Sequence, residues 1–400
     1  MTIRFSKRLG ILSSTILLGV SVLILAQSKS SSTPAKGAAR SGGKTGTTAP
    51  SSDKVIQFIR AKYGVADSMS MVLGPYRDSA DPQFYDSTVT VDDGQNTQNS
   101  KRSSEISVSK DGRYLVMSRV PSTGPGASSF FPLKGGTKED IAREIHEAFH
   151  LPANMTETVG APQGSTVPNF LKTTVTVDDG KHKTPVETFV SKDHRFIVIG
   201  DIFDLSLDPR REAMRNLILQ NQPETGSRNA PVTIVEFADL ECPTCSRAHD
   251  FLETQFLPKY QGKVRLVFKE FPLVVHEWAM PAAIANQCAY RINPSHYIPY
   301  RTSIFQHQAG FEAIKTNSSA VRDLLMDLGQ QVGIDKVQLE GCFDSKASLP
   351  RIEVNLKEAT ALNVSSTPTF FINGRIMIGL IPGVFTQAVD EAIADAGRKK

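Results

Sequence analysis

The sequence predicts an α/β protein in which two small repeated α+β modules precede a larger α/β domain that carries the chemistry. Three observations lead there. The heptapeptide TVTVDDG occurs at 88–94 and again at 174–180. A buried-strand pattern, VTIVEFA from Val232, runs into Cys242-Pro243-Thr244-Cys245 and then an amphipathic helix. Asn373-Gly374 separates two short apolar runs, the signature of a two-residue hairpin turn. At 400 residues the chain is too long for one ordinary domain, and 40% apolar residues are enough to bury cores.

The N-terminus reads as an address. Arg4, Lys7 and Arg8 precede an apolar run over 10–26 that is interrupted by Ser13, Ser14, Thr15 and Ser21. This is the pattern of a secretory signal, 1–26. An uncleaved membrane anchor is the competing reading, because the run approaches the ~20 residues that span a bilayer. The internal Ser and Thr favour cleavage. Residues 27–52, rich in Ser, Gly, Thr, Ala and Lys, predict a flexible tether. Residues 1–52 hold seven basic side chains and no acid, so the net charge of +4 becomes −3 for the remainder. A slightly acidic folded part argues against nucleic acid as a partner. Four cysteines are too few for a disulfide-built scaffold.

The two copies follow. SKDGRYLV from Ser109 matches SKDHRFIV from Ser191, so the repeat extends beyond the heptapeptide. Each copy predicts a helix and then several strands with Asp-Gly turns, giving module 1 over 53–120 and module 2 over 137–205. The helix signals are VIQFIRAKY from Val55 and EDIAREIHEAF from Glu139, the latter capped by Thr137 with Asp140 three residues on. A Pro/Gly/Ser-rich linker is expected over 121–136. The second helix contains His146-Glu147-Ala148-Phe149-His150, which fits the H-E-x-x-H pattern of zinc hydrolases. Three facts favour an ordinary amphipathic helix. Copy one has no ligand there, Leu151-Pro152 ends the helix at His150, and a third ligand is lacking. No metal is therefore expected. The DDG pairs lack the alternating ligands of a calcium loop and read as turns.

A connecting helix is expected within 206–221, and 223–227 reads as a chain break. Beyond it, a C-x-x-C between strand and helix is the context of a redox motif. Cys242 would occupy the helix N-cap, where unpaired N–H groups and the positive end of the dipole favour a thiolate. Pro243 at the first helical position sacrifices no hydrogen bond. Cys245, one turn deeper, could attack a mixed disulfide on Cys242 and resolve it. Glu241 would oppose the thiolate if it pointed inward. A metal half-site and an inert structural disulfide are the alternatives; the first lacks a second ligand pair, since Cys288 and Cys342 stand alone.

Three separated segments carry a resemblance. NAPVTIVEF from Asn229, the CPTC motif, and TPTFFING from Thr367 resemble, in that order, the DsbA-like branch of the thioredoxin superfamily, over 222–398. The resemblance implies a thioredoxin fold with an inserted helical subdomain, here about 275–363. It implies that Pro368 is cis and faces the C-x-x-C, with Thr367 offering its backbone to a substrate peptide and Pro243 and Thr244 beside it. It gives Glu236 the task of moving the proton of the deeper cysteine, with Lys269 as its expected partner in a proton relay. Cys288 and Cys342 match a second, structural disulfide of some members. Where this chain has Thr244, the most oxidising members carry His, so a less oxidising couple is expected.

The expected function is an exported thiol–disulfide oxidoreductase. The alternatives are a disulfide isomerase or reductase of the same fold, a binding or scaffold protein with an inert CPTC bridge, and a zinc hydrolase using His146, Glu147 and His150. No cofactor is expected beyond the redox-active disulfide. Expected partners are cysteine-containing exported proteins, a membrane redox partner and, through the N-terminal modules, a second copy. The expected location is periplasmic or extracytoplasmic.

Overall fold

The computed structural model describes residues 50–65, 69–92, 101–120, 128–180 and 183–398. The signal, most of the tether and the start of the 121–136 linker lie outside them. The chain divides into two compact units, 1–208 and 209–400. Among the described residues no helix is long and apolar enough to cross a membrane.

The first unit holds both repeats. In copy one, helix α1 (Ser52–Tyr63) buries Val55, Phe58 and Ile59 on one side, as residues three and four apart must. It packs on strands β1 (Ser70–Leu73), β3 (Phe84–Asp92), β4 (Lys101–Ser109) and β5 (Tyr114–Ser118), with β2 (Arg77–Asp78) paired to β3. In copy two, α2 (Lys138–Ala148) starts at a capping box between Thr137 and Asp140. Strands β7 (Thr156–Val159), β8 (Gln163–Gly164), β9 (Phe170–Asp178), β10 (Lys183–Ser191) and β11 (Phe196–Val198) follow. In both copies the TVTV stretch alternates, burying Val89 and Val91 or Val175 and Val177.

The two copies exchange their last strands. β6 (Phe130–Pro132) follows β5 in sequence but pairs with β11, through Phe130 opposite Val198. β12 (Gly200–Asp204) follows β11 but pairs with β5, through Gly200 opposite Ser118. A Cβ on Gly200 would lie 2.2 Å from the Met117 carbonyl oxygen, so only glycine allows this approach. Phe84, Tyr114, Phe130, Phe170 and Phe196 form a shared core between the copies. The 121–136 segment is thus not wholly linker. Its Phe130 and Leu133 are buried, and that apolar pair outweighs the preceding Pro, Gly and Ser.

The second unit is built on a five-stranded sheet of order β13-β15-β14-β16-β17, where β13 is Glu224–Gly226, β14 Val232–Ala238, β15 Val264–Glu270, β16 Thr369–Ile372 and β17 Arg375–Ile378. β14 and β15 run parallel and the other pairs antiparallel. The stretch read as a chain break at 223–227 therefore contributes an edge strand, fixed by Glu224 to Arg265. The connecting helix α3 is shorter than expected, Pro209–Asn216. Helix α4 (Pro243–Phe251) continues through a π-helical turn to Lys259. The insertion between β15 and β16 comprises α5 (Ala279–Ile292), α6 (Tyr297–Gln306), α7 (Gln308–Ile314), α8 (Ser318–Gln331), α9 (Lys336–Asp344) and α10 (Leu349–Ala361); α11 (Pro382–Arg398) closes the chain. This is the thioredoxin arrangement with a helical insertion that the resemblance implied.

Sheet parity decides what each strand residue meets. Ile234 and Phe268 face the layer of α4, α6 and α11, while Val235, Phe237 and Val267 face α3 and α10. Cys288 on α5 and Cys342 on α9 form a disulfide.

Candidate active site

The site forms where β14 ends. Asp239 leads into the turn, Cys242 occupies the N-cap of α4, and Pro243 takes its first position. The Cys245 and Ser246 N–H groups both donate to the Cys242 carbonyl, which closes the first turn under the sulfur. The peptide bond between Thr367 and Pro368 is cis. Thr367 O lies 3.6 Å from Cys242 Sγ and 3.3 Å from Thr244 Oγ1. The structure thus brings Cys242, Thr244, Thr367 and Pro368 together from segments 125 residues apart.

The two sulfurs differ sharply. Cys242 is only 8% exposed, with Thr244 Oγ1 2.8 Å from Sγ. Its pKa is lowered from 9.0 to about 4. The Cys245 side chain is the largest cause, the Thr244 hydroxyl adds to it, and burial opposes both. Cys245 is fully buried, and burial together with the neighbouring Cys242 pushes its pKa well above the ordinary thiol value. One thiolate and one thiol result, the division of labour that attack and resolution need. Glu241 does not point at the sulfur. Its carboxylate accepts from the backbone N–H groups of Glu277 and Trp278 at the start of α5.

Glu236 is completely buried on the α6 side of the sheet. Its Oε2 accepts from Arg301 Nη2 at 3.1 Å, and Oε1 has no partner among the described residues. Burial raises its pKa, Arg301 opposes, and the nearby Glu270 adds to the rise. Glu236 in turn disfavours a second thiolate at Cys245. The expected relay from Glu236 to Lys269 does not exist. β14 and β15 pair with Glu236 opposite Phe268, so Lys269 shares the other face with Phe237. There Lys269 Nζ donates to Glu358 Oε2 and Ile218 O, each at 2.7 Å.

Arg301 was not singled out in the sequence. It serves two buried carboxyls, since its Nη1 also reaches Tyr297 OH, which donates to Glu270 Oε1 at 2.8 Å. One cation cannot compensate two buried carboxylates, and burial raises the pKa of both. The signal was a lone Arg on the apolar stripe of Tyr297, Tyr300, Ile304 and Phe305. In the first unit, His146 Nδ1 is engaged by Glu157 Oε1 at 2.8 Å, and His150 lies past the end of α2 with φ +50°. Among the described residues no group of three or more His, Cys, Asp or Glu could hold a metal ion.

Residues 219–391 match the family described as Thioredoxin. A putative protein-disulfide oxidoreductase of Rickettsia prowazekii is 28% identical over 183 residues, 45% of this chain and 64% of that protein. A probable disulfide bond formation protein D of Bacillus cereus is 27% identical over 188 residues, 45% of this chain and 83% of that protein. The crystal structure of oxidised BdbD from Bacillus subtilis matches at 22% identity and a TM-score of 0.38, over 44% of this chain and 95% of that one. The chain spans a little under two thirds of the Rickettsia relative.

Proposed function

We infer that the chain is a protein thiol–disulfide oxidoreductase of the DsbA-like branch, from the match of residues 219–391 to the family described as Thioredoxin and the likeness to protein-disulfide oxidoreductases. One observation carries the reading: an N-cap sulfur with its pKa lowered to about 4 stands one turn above a buried thiol whose pKa is raised. In the oxidising direction, a client thiolate attacks Cys242 Sγ of the Cys242–Cys245 disulfide. The client–Cys242 bond forms and Cys245 leaves as a thiolate, taking up a proton. A second client thiolate then attacks the client sulfur, releasing Cys242 as the stable thiolate and leaving the client oxidised by two electrons. Glu236 exchanges the proton of Cys245, and the Thr367 backbone beside the cis-Pro368 aligns the client as an added strand. The cysteine pair is itself the redox group.

The clients are cysteine-containing exported proteins, and a membrane redox partner restores the disulfide. The basic segment and apolar run of residues 1–26 support an extracytoplasmic location. Thr244 supplies a hydroxyl and no charge, which favours a moderate potential and keeps isomerase or reductase activity as a second reading. Incubation with glutathione redox buffers tests the proposal. The wild-type pair equilibrates, whereas Cys242→Ser does not. An inert wild-type pair refutes catalysis, and refolding of a scrambled disulfide substrate separates isomerase from oxidase.

A further inference from the structure

The turn that carries the cysteines is held by one carboxylate. Asp239 is 1% exposed, and its main chain touches both sulfur-bearing residues: its N–H donates to Cys245 Sγ at 3.5 Å and its carbonyl accepts from Cys242 N–H at 3.2 Å. Its side chain is equally committed. Oδ1 accepts from Glu241 N at 2.8 Å, and Oδ2 accepts from Leu273 N at 2.8 Å and meets His276 Nδ1 at 2.7 Å. A buried carboxylate beside a thiolate would repel it unless neutralised. His276 is placed to neutralise it, and 22% of its side chain remains open to solvent for proton exchange.

We propose that His276 is a positioning residue that acts through Asp239, supplying the positive charge that Thr244 does not, and that it takes up a proton when the cysteine pair is reduced and gives it up when the pair is oxidised. The charge balance follows directly. The disulfide is neutral; two-electron reduction with uptake of one proton leaves a thiolate on Cys242 and a thiol on Cys245, and the His276 ring takes from solvent a fraction of a second proton, at most about half for a tenfold change in its proton affinity. The ring contacts Asp239 Oδ2, and Asp239 in turn accepts from the Cys242 N–H. The charges that act on the ring are Asp239, Glu241 and the Cys242 sulfur, with the adjacent Glu277 held by Lys315 at 3.9 Å. Burial works against the charged ring, but these acidic neighbours outweigh it and raise its pKa. Among them only the sulfur changes charge with redox state. By linkage, whatever His276 contributes to the thiolate the thiolate returns to His276.

This inference rests on the oxidoreductase reading, yet its test does not need catalysis. The full chain with ring-labelled histidine is titrated by NMR twice, once reduced with dithiothreitol and once oxidised with diamide. His276→Asn, which keeps a donor toward Asp239 and removes the charge, assigns the signal. The expected result is a His276 midpoint about one pH unit higher in the reduced form, roughly tenfold in proton affinity, with the other histidines unmoved. In His276→Asn the Cys242 midpoint rises by the same amount. If no histidine of the wild-type protein changes its midpoint between the two states the proposal is overturned, even if the asparagine variant does not fold, because that outcome needs no assignment. An absence of client oxidation would instead count against the proposed function and leave these midpoints readable.

Discussion

Thr244→Val tests how the reactive sulfur is held ionised. The substitution preserves shape and removes the hydroxyl 2.8 Å from Cys242 Sγ. A hydrogen bond to a charged acceptor is worth about 1.5–3 kcal/mol. Thr244 is exposed and can turn to Thr367 O at 3.3 Å, so the low end applies, about one pKa unit. The Cys242 midpoint should therefore move from about 4 toward about 5. The thiolate is present only in the reduced form, so the glutathione equilibrium should shift about tenfold toward the disulfide, roughly 30 mV more reducing. Ultraviolet absorbance of the thiolate against pH reads the first quantity and glutathione equilibration the second. An unchanged midpoint in a normally folded variant would refute the assignment of the hydroxyl as a thiolate donor. The pH dependence carries a definite sign. The folded pKa of Cys242 lies below its ordinary value of 9.0, so the thiolate's stabilisation is complete above pH 9.0 and is lost as pH falls to about 4. Melting of reduced and oxidised protein should show the reduced form gaining on the oxidised form as pH rises through that window.

Three further outcomes follow from the geometry. Glu236→Gln should slow Cys245-dependent release of a mixed disulfide by about 10²-fold or more while leaving the Cys242 midpoint within about half a unit, measured by quenched-flow trapping; an unaltered rate removes the proton-transfer role. Arg301→Met leaves two buried carboxyls without their cation and should lower unfolding free energy by about 3–5 kcal/mol in urea, against near-neutrality if the pair were solvated. Replacing Cys288 and Cys342 together with Ala should lower stability by about 4 kcal/mol from loop entropy without altering glutathione equilibration of the active pair.

The redox turn was readable because its constraints are local: an N-cap cysteine, a first-turn proline and a strand before them. The Cys288–Cys342 bridge and the cis-Pro368 were reachable only through resemblance, since they join distant segments. Lys269 departs from its expected pairing for a physical reason. Its distance from Glu236 along the fold is short, but the parallel register puts the two on opposite faces of the sheet, and register is not written in either strand alone. Arg301 and His276 each look ordinary on their own elements. Their meaning comes from Glu236, Glu270 and Asp239, which other segments deliver. β6 was hidden for the same reason, a three-residue strand whose partner lies some 65 residues on.

The reciprocal loan of β6 and β12 sets an order of assembly. As the nascent polypeptide lengthens, β5 waits with a bare edge until Gly200–Asp204 has been synthesised, and β6 waits for Phe196–Val198. Neither half completes its sheet without a strand beyond the other, so the tandem should unfold in one cooperative transition. Severing it between the halves would free two sticky margins at once, each able to recruit the other from a different molecule.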